Sequence, residues 1–508
     1  MKIIKSIAWL LLCAVVLLPV TTYAQINPNN PLVVFVQNTP GATGLQQAVG
    51  IAVADMCPSL GGLGSTGAQR DLFLRCNELI ATACELNGEI DPSTGEPIPC
   101  GRTLELSDEE LLAALQQVWG EELHSNTTVT TRVTNGQFSN IAGRMNALRL
   151  GGASGAMGGR VASVAPDSDT ERGSPGYNMV SLDSRTLSGG AAAGDVAGSR
   201  IGWFLEGSFN TGDRDQTANE NGFDFDSTSF TLGLDYLFDA GVLGISVGVD
   251  DYQADFNNGL FVTGGDVEVE GTSGSIFGAW FGEGFYVDGL VTFGSLDNDL
   301  SRALVYSSTD SCLPPIECPP QNRVLTGETD GDYVAAGASF GYEAVRGNWD
   351  ITTSLSVAYR DIDIDGFDEV DTSGGGMGLR YSDQTIESLR SILGIAFTGN
   401  FSRNFGVLSP HFRVEWHHEF EDEPIWLSAK YIIEDNLGTV PPGDFTGTAC
   451  LSCARWSSDE IDTDFALVGV GLSAVFSQRV QIYFMYDALI GIDNLASNSI
   501  SLGLRGQF

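Results

Sequence analysis

From about residue 200 to its C-terminus the chain alternates with period two, and that leaves few folds open. Ile500, Leu502, Leu504 and Phe508 alternate with Ser499, Ser501, Gly503, Arg505 and Gln507. Val480, Ile482, Phe484, Tyr486 and Ala488 share one face, as do Ala466, Val468, Val470, Leu472, Ala474 and Phe476. Phe412, Val414, Trp416 and Phe420 stand opposite His411, Arg413, Glu415, His417 and Glu419, and Phe230, Leu232, Leu234, Tyr236 and Phe238 form another such row. Successive side chains of a strand point to opposite faces, so each run reads as a strand with one apolar face and one polar or small face. A soluble sandwich turns the apolar face inward, whereas a membrane barrel turns it to lipid. Length favours the barrel. The runs reach about 10 to 20 residues, whereas soluble strands centre near 5 to 6 and a tilted membrane strand needs ~9–11.

Twelve strands start near residues 200, 226, 242, 266, 284, 323, 348, 379, 406, 462, 479 and 498. The connections alternate. Short ones lie at 239–241, 283–284, 346–348, 402–404 and 477–479; long ones at 213–225, 255–265, 308–322, 366–378, 422–461 and 491–497. Short turns on one side and long loops on the other are the mark of a membrane barrel, and single-chain bacterial barrels use an even strand number. The expected fold is therefore an all-β membrane barrel of 12 antiparallel strands over 200–508, joined to a small α-helical, disulfide-stapled N-terminal region.

The N-terminal part has a different character. Lys2 and Lys5 precede an apolar run from Ile7 to Val20, and Thr22-Tyr23-Ala24 offers a small-residue cleavage site, so 1–24 reads as a signal peptide. No later apolar run approaches the ~20 residues of a spanning helix. Without Lys2 and Lys5 the net charge moves from −40 to −42, which argues against nucleic acid as a partner. In 25–125, Leu45–Met56 and Gln69–Leu86 read as helices, and Leu111–Trp119 as a third, opened by the capping box Ser107-Asp108-Glu109-Glu110. Residues 151–199 form a Gly/Ala/Ser-rich linker.

Eight cysteines remain after residue 24, in local groups: Cys57, Cys76, Cys84 and Cys100; Cys312 and Cys318; Cys450 and Cys453. The even count fits disulfides within each group, in an oxidising compartment. The pairs at 312/318 and 450/453 lack nearby histidines, which disfavours zinc.

Gly202-Trp203-Phe204-Leu205-Glu206-Gly207, Gly222-Phe223-Asp224-Phe225, Leu232-Gly233-Leu234-Asp235-Tyr236, Ser409-Pro410-His411-Phe412-Arg413-Val414-Glu415-Trp416, Val468-Gly469-Val470-Gly471-Leu472, Tyr483-Phe484-Met485-Tyr486-Asp487 and Leu502-Gly503-Leu504-Arg505-Gly506-Gln507-Phe508 together resemble the C-terminal β-domain of autotransporters (type V secretion). The resemblance implies a Gram-negative outer-membrane barrel that exports or displays an N-terminal passenger at the cell surface. It also implies barrel-assembly machinery and periplasmic chaperones as partners, with Phe508 as part of the assembly signal. A helix threading the lumen is expected too. Phe138–Arg149, within a 126–150 segment, resembles it, although about 50 residues of linker separate it from the first strand, and the same stretch also reads as an ordinary passenger helix. Arg144 and Arg149 lie ~140° apart on such a helix, and the inward strand faces offer Glu206, Asp235, Glu415, Glu419 and Asp487 as acids for them.

The sequence carries few signs of catalytic or metal chemistry. The N-terminal region has one histidine, His124, and no Gly-x-Ser-x-Gly elbow. His417 and His418 are adjacent, so a strand sends them to opposite faces. Asp361-Ile362-Asp363-Ile364-Asp365-Gly366 resembles the start of a calcium loop, but Thr372 stands where a bidentate Glu is required. No cofactor and no enzymatic activity are expected, and weak Ca²⁺ bridging is expected at most between acidic loops. The alternative function is a porin-like channel whose N-terminal region is a periplasmic or plug domain.

Overall fold

A computed structural model describes residues 27–61, 65–88, 96–97, 99–120, 136–145, 200–217, 220–259, 264–282, 284–306, 322–437, 441, 443–445, 450–476 and 480–507. Residues 1–24 and 151–199, read above as a signal peptide and a linker, lie outside these residues, as do Arg149, Cys312, Cys318 and Phe508.

Twelve long strands carry the architecture: β1 (Ile201–Arg214), β2 (Phe223–Phe238), β3 (Gly241–Phe256), β4 (Gly265–Phe281), β5 (Phe285–Val305), β6 (Asn322–Arg346), β7 (Trp349–Ile364), β8 (Gln384–Gly399), β9 (Gly406–Glu419), β10 (Asp464–Phe476), β11 (Val480–Ile490) and β12 (Leu495–Gln507). Each pairs antiparallel with its neighbours in sequence, and β1 pairs with β12 from Gly202↔Gln507 to Arg214↔Leu495. The sheet is thus a closed barrel without a free edge, so the main-chain groups of every strand find partners.

The apolar row of each strand faces out. Leu243, Ile245, Val247 and Val249 of β3 are about half exposed, as are Phe230, Leu232, Leu234, Tyr236 and Phe238 of β2. Beyond this belt the same outward row turns acidic, with Asp251 and Asp255 on β3 and Asp297 and Asp299 on β5. Asp361 and Asp363 sit within β7 in the same way, so that stretch is a strand rather than a calcium loop.

Two expectations about connections need correction. The connection after β11 is only four residues, 491–494, because β12 starts at Leu495 and not near 498. Strand β8 starts at Gln384 rather than near 379. Residues Leu379–Tyr381 instead pair with Trp426–Tyr431, which pair with Ala454–Ser457, in a separate three-stranded sheet built from two long connections.

The N-terminal unit contains α1 (Pro31–Asn38), α2 (Gly44–Met56), α3 (Gly67–Asn87) and α4 (Asp108–Trp119). Three of these match the expected helices and extend them by a few residues. Helix α1 is additional. Its eight residues are too uniformly apolar to show a period, but Asn30 caps it by accepting from the Leu32 amide at 3.0 Å, and Pro31 sits in its first turn. The capping box of α4 forms: the Ser107 amide donates to Glu110 Oε2 at 2.8 Å, and the Glu110 amide donates to Ser107 Oγ at 3.4 Å. The Ser107 amide, and the Ser107 hydroxyl donating to the same oxygen at 2.8 Å, hold the Glu110 carboxyl below its ordinary value. Disulfides join Cys57 to Cys76 and Cys84 to Cys100 across this unit, and Cys450 to Cys453 in the connection after β9. A fifth helix, α5, covers 136–145 and lies inside the barrel.

Candidate functional site

The lumen is built by the inward row of each strand, and α5 occupies part of it. Helix α5 carries three stripes, as its spacing dictates. Gln137, Asn140 and Arg144 form a polar stripe. The Gln137 amide nitrogen donates to Asp250 Oδ1 and to the Phe230 carbonyl, both at 3.1 Å, and Thr231 Oγ1 donates to Gln137 Oε1 at 2.7 Å. Asn140 donates to Thr231 Oγ1 at 2.9 Å. Arg144 Nε donates to Asp235 Oδ2 at 2.9 Å, Nη2 reaches the same oxygen, and the guanidinium lies over the Phe204 ring. Ile141 and Met145 form an apolar stripe against Phe204, Phe277 and Leu290. Ser139, Ala142 and Gly143 are the small third stripe, and they border a cavity of about 780 Å³.

The wall is cut back where α5 approaches. A Cβ at Gly248 would fall 1.9 Å from Gln137 Oε1, and one at Gly337 would fall 2.3 Å from the Phe138 ring. Both positions sit mid-strand, where glycine costs strand stability, and close approach of another element is a usual reason for it.

The direction of α5 follows from these partners. Gln137 lies beside Asp250, toward the long-loop end of β3, whereas Arg144 lies beside Asp235 and Gly202, toward the end where β1 begins. The helix therefore descends from the long-loop mouth, on the side of α1–α4, to the short-turn end.

Of the five inward acids expected to meet cationic α5, the structure brings only Asp235 to Arg144. Glu206 accepts from Arg505 Nε at 3.2 Å, and Arg505 also donates to the Gly143 carbonyl at 3.1 Å. Asp487 accepts from Arg413 at 2.9 Å, and Glu415 lies 3.5 Å from the same guanidinium. Glu419 accepts from Arg390 at 3.1 Å and from Ser388 at 2.7 Å. The barrel thus pairs most of its own lumen charge. The arginines doing so were visible in the alternation: Arg413 and Arg505 share the inward phase with the acids named. What was hidden is which inward residues become neighbours, since that depends on strand register. Gln137 and Asn140 were missed because a neutral amide carries no sequence signal of its own.

His417 faces inward, stacked on Phe465, while His418 faces out beside Asp464. They do not converge, as their adjacency in a strand requires. In the lumen His417 Nε2 lies 3.4 Å from Glu415 Oε2.

A 224-residue stretch is 28% identical to an uncharacterised protein from the trpE–trpG intergenic region of Pseudomonas putida, covering 43% of this chain; it spans a third of that relative's length. Among solved structures, the translocator domain of autotransporter NalP from Neisseria meningitidis is 13% identical with a TM-score of 0.45, covering 62% of this chain and 90% of that one. The transport unit of the Escherichia coli autotransporter AIDA-I is 12% identical with a TM-score of 0.37, covering 61% of this chain and 91% of that one. The family model for the autotransporter beta-domain matches residues 203–487. That match covers more than half of the chain, from β1 into β11, and the protein belongs to the autotransporter family.

Proposed function

We propose that the barrel carries the helical unit 25–125 to the outer face of the outer membrane and keeps it there, as an anchor and translocator rather than an enzyme. The observation that carries this reading is the path of the chain. Helices α1–α4 meet the long connections, α5 descends the lumen, and β1 begins at the opposite end. A passenger drawn out through its own barrel leaves its trailing segment in the pore in just this sense. Antibodies raised against residues 27–119 test it on intact cells. Binding equal to that of permeabilised cells is expected; binding only after permeabilisation would favour the porin-like channel with a periplasmic plug.

Lipid of the outer membrane meets the outward apolar belt. Barrel-assembly machinery and periplasmic chaperones fit a chain whose long strands must stay unpaired until insertion. In sequence Phe508 shares the phase of Ile500, Leu502 and Leu504, and Phe508→Ser is expected to lower the folded barrel recovered from outer-membrane fractions. An unchanged yield of heat-modifiable protein would remove that role. Weak Ca²⁺ bridging fits the exposed carboxylates of Asp251, Glu268 and Glu270, which lie close together on β3 and β4.

A further inference from the structure

Helices α1–α4 share one hydrophobic core with the outer connections of the barrel. Trp119 of α4 is fully buried and meets the Tyr431 ring edge-on at 5.2 Å. Leu72 and Leu111 lie in the same cluster as Leu325, Leu427 and Trp456. The polar contacts across the boundary are buried as well. Arg323 of β6, fully enclosed, donates to Asp71 of α3 at 2.7 Å and to Asp371 at 2.8 Å. Arg302 of β5 donates to the Gln117 carbonyl at 2.6 Å while its other nitrogens hold Glu369. Gln116 donates to Asn221 in the connection after β1. Contacts therefore reach three of the outer connections and the loop-side ends of β5 and β6.

The approach is as close as backbone allows. A Cβ on Gly376 would lie 2.1 Å from the Ala68 carbonyl oxygen of α3, and the Gly376 amide donates to Asp71 at 2.9 Å. Even alanine at Gly376 would push α3 away.

We propose that the helical unit completes its fold only on these outer loops, and so remains over the mouth as a fixed lid rather than a tethered free domain. This rests on the surface placement argued above. A unit of this size buries proportionally little surface alone. Without the loops it would expose Trp119 and its apolar neighbours and lose both arginines that cross the boundary. It thus stays loose until β5, β6 and the loop sheet stand beside it, and export of a loose chain through a narrow lumen precedes locking.

The test uses the full-length protein in the outer membrane of intact cells. Gly376→Val wedges the boundary and Tyr431→Ala empties it; both positions lie outside the twelve barrel strands. Protease is added outside, and the helical unit and the barrel are followed separately. Wild type is expected to keep the unit protected. Each variant should lose that protection roughly tenfold faster or more, since cleavage follows the population of the open form, while the barrel stays heat-modifiable. Protection unchanged in both variants overturns the proposal, and so does loss of the barrel in both. Faster cleavage seen only after permeabilisation supports the coupling but places the unit inside the cell, which defeats the surface reading instead.

Discussion

Arg144 is the one charged side chain of α5 among its described residues, and its partner Asp235 is almost wholly enclosed. Both groups have left water, so truncating one leaves the other unmatched. That costs ~3–5 kcal/mol for a fully buried pair and much less where water reaches it. Arg144→Ala is expected to lower the temperature at which the barrel loses its folded migration, and Asp235→Asn added to it should recover most of the loss. An unshifted single variant, or a double variant melting no higher than the single, would show that the pair contributes nothing. Both residues were legible in the sequence, Asp235 through strand alternation and Arg144 through its place in a lumen-type helix. Their exclusive pairing was not. The sequence offers Glu206, Glu415, Glu419 and Asp487 equally, and only the register places Arg505, Arg413 and Arg390 against them.

The long strands could be read because a period of two sustained over 11 to 25 residues has no competing explanation. Short elements lack that redundancy. Leu379–Tyr381 spans three residues, and its partner Trp426–Tyr431 lies in another connection, so neither local pattern nor sequence distance marks it. Helix α5 is intermediate: its three stripes make sense only inside a barrel, with amides toward β2 and β3, apolar residues toward Phe204 and Phe277, and small residues toward the cavity. That last stripe means α5 obstructs the lumen without filling it. Deleting 136–145 is therefore expected to raise single-channel conductance in planar bilayers above a small residual value. Equal conductance with and without the helix would mean that another segment, such as part of 151–199, closes the pore.

At the scale of the whole molecule, two different principles hold two parts together, and they should come apart in order. The barrel is closed by hydrogen bonds around an uninterrupted ring, so no strand can leave without breaking two ladders. The helical unit relies on a modest apolar core, on two disulfides closing loops of 19 and 16 residues, and on the outer connections. Each such disulfide adds about 3 kcal/mol by restricting the unfolded chain. The bond between Cys450 and Cys453 closes so small a ring that its entropic contribution is slight by the same reasoning. Heating the purified protein in detergent should accordingly show two steps. Helical signal in circular dichroism disappears first, and folded migration of the barrel is lost at higher temperature. Reducing agent should move only the first step, downward, because no disulfide among the described residues joins two barrel strands. A single transition in which helix and barrel signals vanish together, at a temperature that reduction shifts as one, would mean that the lid and the barrel form one cooperative unit and that the ring is not self-sufficient.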